Sequence, residues 1–137
     1  MQQKFRLSTF RIGTPARRNQ GLRIAVTRRP PRGVSKERWV TDGYFDAWFP
    51  LLAPSAALLS DLKRFDLNEE SDRKKFFDRY ERQVLANLES RQAVDLLVHI
   101  AMRTSVSIGC YCDDESRCHR SRLLQIIVRH HGELRRN

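Results

Sequence analysis

The three cysteines of this 137-residue chain all fall between Cys110 and Cys118, in the stretch CYCDDESRCHR, with His119 and Arg120 directly behind the last of them. A thiol is a nucleophile once deprotonated and a soft metal ligand in the same state. An imidazole changes charge near neutrality, and a guanidinium clamps phosphate or carboxylate with two parallel hydrogen bonds. Two chemistries follow. In the first, Cys118 is a reactive thiolate in the opening turn of a helix, close to unpaired amides and the positive end of the helix dipole, and His119 is its acid or base. That arrangement suits thiol-based transfer or hydrolysis on an anionic substrate. The Cys-x5-Arg signature of tyrosine phosphatases and rhodaneses is absent, because counting from Cys110 lands on Ser116 and from Cys112 on Cys118.

In the second chemistry Cys112, Cys118 and His119, with Cys110 beside them, hold zinc or another thiophilic metal. No other cofactor is expected. The Cys-x-Cys spacing is tighter than a zinc knuckle, and two adjacent helical residues diverge by about 100°. Cys110, at the end of a strand, is read as a small buried apolar residue.

These residues need a strand to deliver the cysteines and a helix to follow them. Ser105 onward reads as that strand, in which a period of two turns Cys110 and Cys112 to one face. About Arg117 to His131 reads as the helix, with Gly132 as its C-cap and a ragged tail over 132–137. Upstream, Phe5 to Ile12 and Leu22 to Thr27 read as strands, the second with Leu22, Ile24 and Val26 alternating. Two prolines in RRPPRG make Arg28 to Gly33 a rigid loop. Ser35 to Trp39 and Gly43 to Phe49 read as short helical turns, and Ser55 caps a helix to Phe65. Long helices follow from Ser71 to about Glu89 and from about Arg91 to Met102, the first with an apolar stripe of Phe76, Phe77, Tyr80, Val84, Leu85 and Leu88. Tyr80, His99, His130 and His131 read as ordinary helix residues and not as ligands.

This order predicts one α/β domain over residues 1–137 with a small, mostly parallel sheet flanked by helices. Ligands of such sheets bind beyond the carboxyl ends of the strands. Arg11 follows the first strand, Arg28 and Arg32 the second, and Cys112 to Arg120 the third. The expectation is a single cleft in which Arg11, Arg28, Arg32 and Arg120 bind a phosphate- or carboxylate-bearing molecule beside Cys118 and His119.

The net charge of +10 is concentrated at one end: residues 1–40 hold eleven Lys or Arg and one acid, Glu37, and the remainder holds fifteen of each sign. A localised basic segment attracts anionic small molecules or nucleic acid. Arg17, Arg18, Arg29 and Lys36 resemble phosphate-backbone contacts, which makes a nucleic-acid-binding module the competing function. No apolar run of about 18 residues is present, so no membrane span is expected. An odd cysteine count and the lack of a signal sequence make a cytoplasmic, reduced protein the expectation.

Four stretches together, LRIAVTRRPPRGVSKE, LAPS, FFDRY and CYCDDESRCHR, resemble the DUF488 (YeaO-like) family, a domain of unknown function, in its Cys-His-Arg branch. The resemblance runs from about Ile12 to Ile127. Arg28, Pro31, Arg32 and Gly33 match the family pattern, while Thr27, Arg29 and Pro30 depart from it. It implies an α/β single domain with a shared site and carries no reaction.

Overall fold

The computed structural model describes residues 5–136. Its sheet has four strands, β1 (Leu7–Arg11), β2 (Leu22–Ala25), β3 (Ala47–Trp48) and β4 (Val106–Cys110), all parallel and ordered β1-β4-β2-β3. All five residues of β4 are buried. A parallel strand between two others and covered on both faces has no polar side, which is why VSIGC shows no outward alternation.

The two faces carry different cores. Ile24, Val26, Val106 and Ile108 lie under the helices, with Tyr80, Val84, Val98, Leu123 and Ile127. Phe10, Ile12 and Ala25 lie under Phe45 on the opposite side, where Trp39, Tyr44 and Trp48 pack against them. Gly109 is required there: the Phe10 ring crosses it so closely that a Cβ would fall 2.3 Å from Cζ.

The helices are α1 (Lys36–Thr41), α2 (Ala56–Ser60), α3 (Glu70–Ala86), α4 (Leu88–Arg103) and α5 (His119–Arg135). α3 buries Phe76, Phe77, Tyr80 and Val84 of its expected stripe, but Leu85 and Leu88 are exposed and Leu88 already belongs to α4, because Asn87 ends α3 early and caps α4 by accepting the Glu89 and Ser90 amides at its side chain. Ser55 caps α2 as expected, accepting the Leu58 amide. A 3-10 turn over Asp61–Arg64 then finishes the segment.

Three expectations are corrected. Gly43–Phe49 is not helical: Gly43 turns with φ of +76°, and the chain becomes β3 because the Asp46 and Phe49 amides donate to the Arg23 and Ala25 carbonyls. Helix α5 does not stop at Gly132 but continues to Arg135, with Leu134 packed on the core, so 132–135 is helix and not a ragged tail. It also starts later than Arg117. Glu115–Arg117 is a separate 3-10 turn capped by Asp114, and Cys118 is the extended residue that precedes α5. Among the described residues, no helix is long and apolar enough to cross a membrane.

Candidate functional site

The parallel order puts the ends of β1, β2 and β4 on one edge of the sheet, and the start of α5 closes over that edge. Cys110 ends β4 on the face that Val106 and Ile108 turn to the helices. Beyond it the chain turns, so Cys112 is not part of the strand, and Cys118 returns as the residue that opens α5. The three sulfurs all lie within 4.8 Å of one another. Cys110 and Cys118 are buried, Cys112 is exposed, and all three are free thiols. Three close cysteines of this kind can hold a metal ion.

Thiols packed this closely titrate as a unit. Hydrogen bonds from Cys112 and Cys118 hold Cys110 low, to about 3, against its burial. The same contacts push Cys118 and Cys112 upward. The cluster thus gives up its first proton readily, because two S–H groups remain to solvate the thiolate. The later protons are retained. Cys118 is not made acidic by the helix start: its side chain makes no capping bond, and it is only 1% exposed.

His119 is 6% exposed and lies between the cluster and the core. Its Nε2 stands 2.8 Å from the Val26 carbonyl, which can only accept, so Nε2 carries the proton and Nδ1 keeps its lone pair. That lone pair is 3.7 Å from Cys118 Sγ. Burial pulls the His119 pKa down to about 4, so the ring is neutral at pH 7. Tyr80 meets it edge to face at a centroid distance of 5.2 Å and donates its hydroxyl to the Leu52 carbonyl at 2.6 Å. The Tyr80 hydroxyl pKa is raised well above its ordinary value by complete burial.

The arginines divide. Arg120 is 3% exposed, its Nη1 donates to the Cys112 carbonyl at 2.9 Å, and its Nε is buried without a partner. It lines a pocket of about 450 Å³ together with Arg11, Arg17, Thr14, Gln20 and Glu115. Arg32 lies in a different pocket of about 710 Å³, with Arg29, Tyr44 and Tyr111. Arg28 lines neither; its Nε and Nη2 donate to the Pro54 and Ala53 carbonyls, tying the loop after β2 to the LAPS segment.

Of the residues singled out in the sequence, the structure joins Cys112, Cys118 and His119 in one cluster and Arg11 and Arg120 in one pocket beside it. Cys110 is buried as expected and is also the third thiol of the cluster. Tyr44 and Tyr111 line a pocket although nothing in their spacing set them apart, and Arg17, read in the sequence as a phosphate-backbone contact, lines the Arg120 pocket. Arg23 also escapes a sequence reading. It is a charged residue on a strand, yet it is buried, with Nη1 and Nη2 on the Gly43 and Thr14 carbonyls and its guanidinium 4.2 Å over the Phe10 ring. Burial lowers its pKa against the attraction of Asp46.

Residues 7–131 match the family model DUF488-N3a, described as the active DUF488-N3 subclade. No curated protein and no solved structure matches the chain.

Proposed function

We infer that this chain, which belongs to the DUF488 family and within it to the active DUF488-N3 subclade, binds a phosphate- or carboxylate-bearing small molecule at the carboxyl edge of its sheet. One observation carries the reading. Arg120 is fixed by the Cys112 carbonyl, keeps a buried Nε without a partner, and shares its pocket with Arg11 and Arg17. A buried guanidinium with unused donors is a costly arrangement that an anion relieves. Glu115 at the rim favours a ligand that brings a hydrogen-bond donor with its anionic group.

In this reading the thiol cluster supplies a nucleophile. Cys112 is the sulfur a ligand can reach, and the charge of the cluster's thiolate rests on Cys110 beside it. His119, neutral with its lone pair toward Cys118, gives the cluster an uncharged wall on that side. Inorganic phosphate should protect the protein against thermal unfolding and slow alkylation of Cys112. Arg11→Gln and Arg17→Gln should each reduce both effects. Phosphate that changes neither melting nor alkylation in the wild type would end the reading.

A second reading has its own observation. His119 donates from Nε2 to a backbone carbonyl and keeps Nδ1 free, which is how a metal-ligating histidine is usually oriented. Cys110, Cys112 and Cys118 would then hold zinc or a similar soft ion, with the fourth position left to His119 or to a ligand. Metal analysis of protein purified without chelator should find about one equivalent, lost in Cys112→Ser. Metal-free protein with all three thiols titratable would exclude it.

A further inference from the structure

We propose that the basic loop after β2 binds a nucleotide unit, free or within a single strand, with its base against Tyr44 and Tyr111 and its phosphate on Arg29 and Arg32. The proposal rests on the anionic-ligand reading above, because a third depression shares walls with both this pocket and the Arg11 and Arg120 pocket, and it names the ligand class.

The pocket formed by RRPPRG, Tyr44 and Tyr111 holds about 710 Å³. Its walls contain two aromatic rings and two arginines and no acid. Tyr111 is 41% exposed although it stands between two cysteines of the cluster. An exposed ring beside a buried strand end offers a π-face, and every base can stack on one. The prolines Pro30 and Pro31 hold Arg29 and Arg32 on a rigid loop, which limits the entropy lost when they clamp a phosphate. A plain polyanion would use the arginines and leave the tyrosines idle.

Continuity comes from a third depression. It shares Thr14 and Pro15 with the Arg11 and Arg120 pocket and Tyr44 with the tyrosine pocket, so the three depressions are neighbours with common walls. Its acid is Asp42, which is already paired with Arg38 at 2.7 Å. Glu115 is the acid of the Arg120 end. A strand whose base occupies the tyrosine pocket would thus place its next phosphates toward Arg17 and Arg11.

The test uses the full chain with four probes: thymidine 5′-monophosphate, a fluorescein-labelled oligothymidylate, inorganic phosphate and heparin. The oligothymidylate should bind with an affinity that falls as salt rises. Tyr111→Leu and Tyr44→Leu should each weaken it between about fivefold and about 150-fold, as loss of a stacked base does. Tyr111→Phe and Tyr44→Phe should bind as wild type, and heparin should not distinguish any of these variants. If the monophosphate shows the same tyrosine dependence and the strand adds nothing, the ligand is a free nucleotide; tighter strand binding identifies a strand. Either result supports the proposal. Tyrosine variants that bind both nucleotidyl probes like wild type overturn it and leave only charge. Phosphate protection lost in Arg11→Gln without tyrosine-dependent binding would sink this proposal and leave the anionic-ligand reading standing. Tyrosine-dependent binding indifferent to Arg11→Gln and Arg17→Gln would do the reverse. Should Tyr44→Leu fail to fold, the more exposed Tyr111 carries the test.

Discussion

Helix α5 touches another element through a histidine near each end, and the two contacts are of opposite kinds. His119 is buried, neutral and bonded to an uncharged carbonyl, with an aromatic ring at its edge. His130 is half-buried, with Nε2 2.9 Å from Asp95 Oδ1 and Nδ1 3.8 Å from Glu133 Oε2. The helix dipole favours this division, since its positive end disfavours a cation and its negative end welcomes one. Residue type is the same at both ends, so the difference lies in what the neighbouring elements present. At the first end the residue after β2, α3 and the cysteine turn present a carbonyl, a tyrosine and thiols; at the second α4 presents a carboxylate. Chemistry that needs an uncharged base and low water content belongs to the first end.

The sharpest way to break the contrast is to remove the first histidine. His119→Ala deletes a buried ring and leaves the Val26 carbonyl without its donor. The expected cost is about 2–4 kcal/mol, from the unsatisfied group and the cavity together. Urea unfolding of the two proteins measures it, and a loss below about 1 kcal/mol would mean that the ring is not held as described.

The same residue sets a pH window. Its folded pKa is near 4, below the ordinary value of about 6.5. The unfolded chain therefore binds a proton before the native one does. Stability from this group is complete above about 6.5, falls as pH drops, and levels off below about 4, a loss of about 3 kcal/mol at about 1.4 kcal/mol per unit. Carboxylates titrate in part of this range, so the informative quantity is the difference from His119→Gln, which keeps a donor for Val26 and does not titrate. Measured with chelator present, that difference should grow from pH 7 to pH 4. Parallel curves would show that His119 is not buried neutral.

Much of this was legible in the sequence. The alternation at Leu22, Ile24 and Val26 and the apolar stripe from Phe76 to Val84 carry enough periodicity to locate β2 and α3. The motif CYCDDESRCHR located the site and the family. β3 was not legible: two residues have no period, and the segment is a strand only because Arg23 and Ala25 offer it carbonyls. Gly132 reads as a stop because an isolated glycine costs a helix about 1 kcal/mol; Leu134 packs beyond it and the helix continues. The site's details depend on partners distant in the chain. Arg28 and Arg120 look alike in sequence, yet one is used up by the Ala53 and Pro54 carbonyls and the other keeps a free Nε. The approach of the three sulfurs depends on the turn after Cys110, which strand periodicity does not describe.

A smaller change sharpens the first end without emptying it. Tyr80 is fully buried, and its hydroxyl is the donor to the Leu52 carbonyl. Tyr80→Phe keeps the ring against His119 and removes that one bond, so it should cost about 1–3 kcal/mol for the orphaned carbonyl. The pH difference assigned to His119 should survive the change, because the ring that buries it remains. A flattened pH curve in Tyr80→Phe would mean that the hydroxyl network, and not burial, keeps His119 neutral.

The smallest effect is expected at the other end. His130→Gln replaces the ring that meets Asp95 Oδ1 at 2.9 Å, but the Asp95 side chain is 48% exposed and is therefore well solvated without it. Glu133, farther off and more exposed, adds little. Pairs of this kind contribute about 0–1 kcal/mol and are screened by salt. The substitution should move the unfolding midpoint slightly at low salt and not at all at high salt, while His119→Ala keeps its full cost at both. A His130→Gln loss that matched His119→Ala, or that resisted salt, would show that the second end is also a desolvated site, and the division between the two ends of α5 would fail.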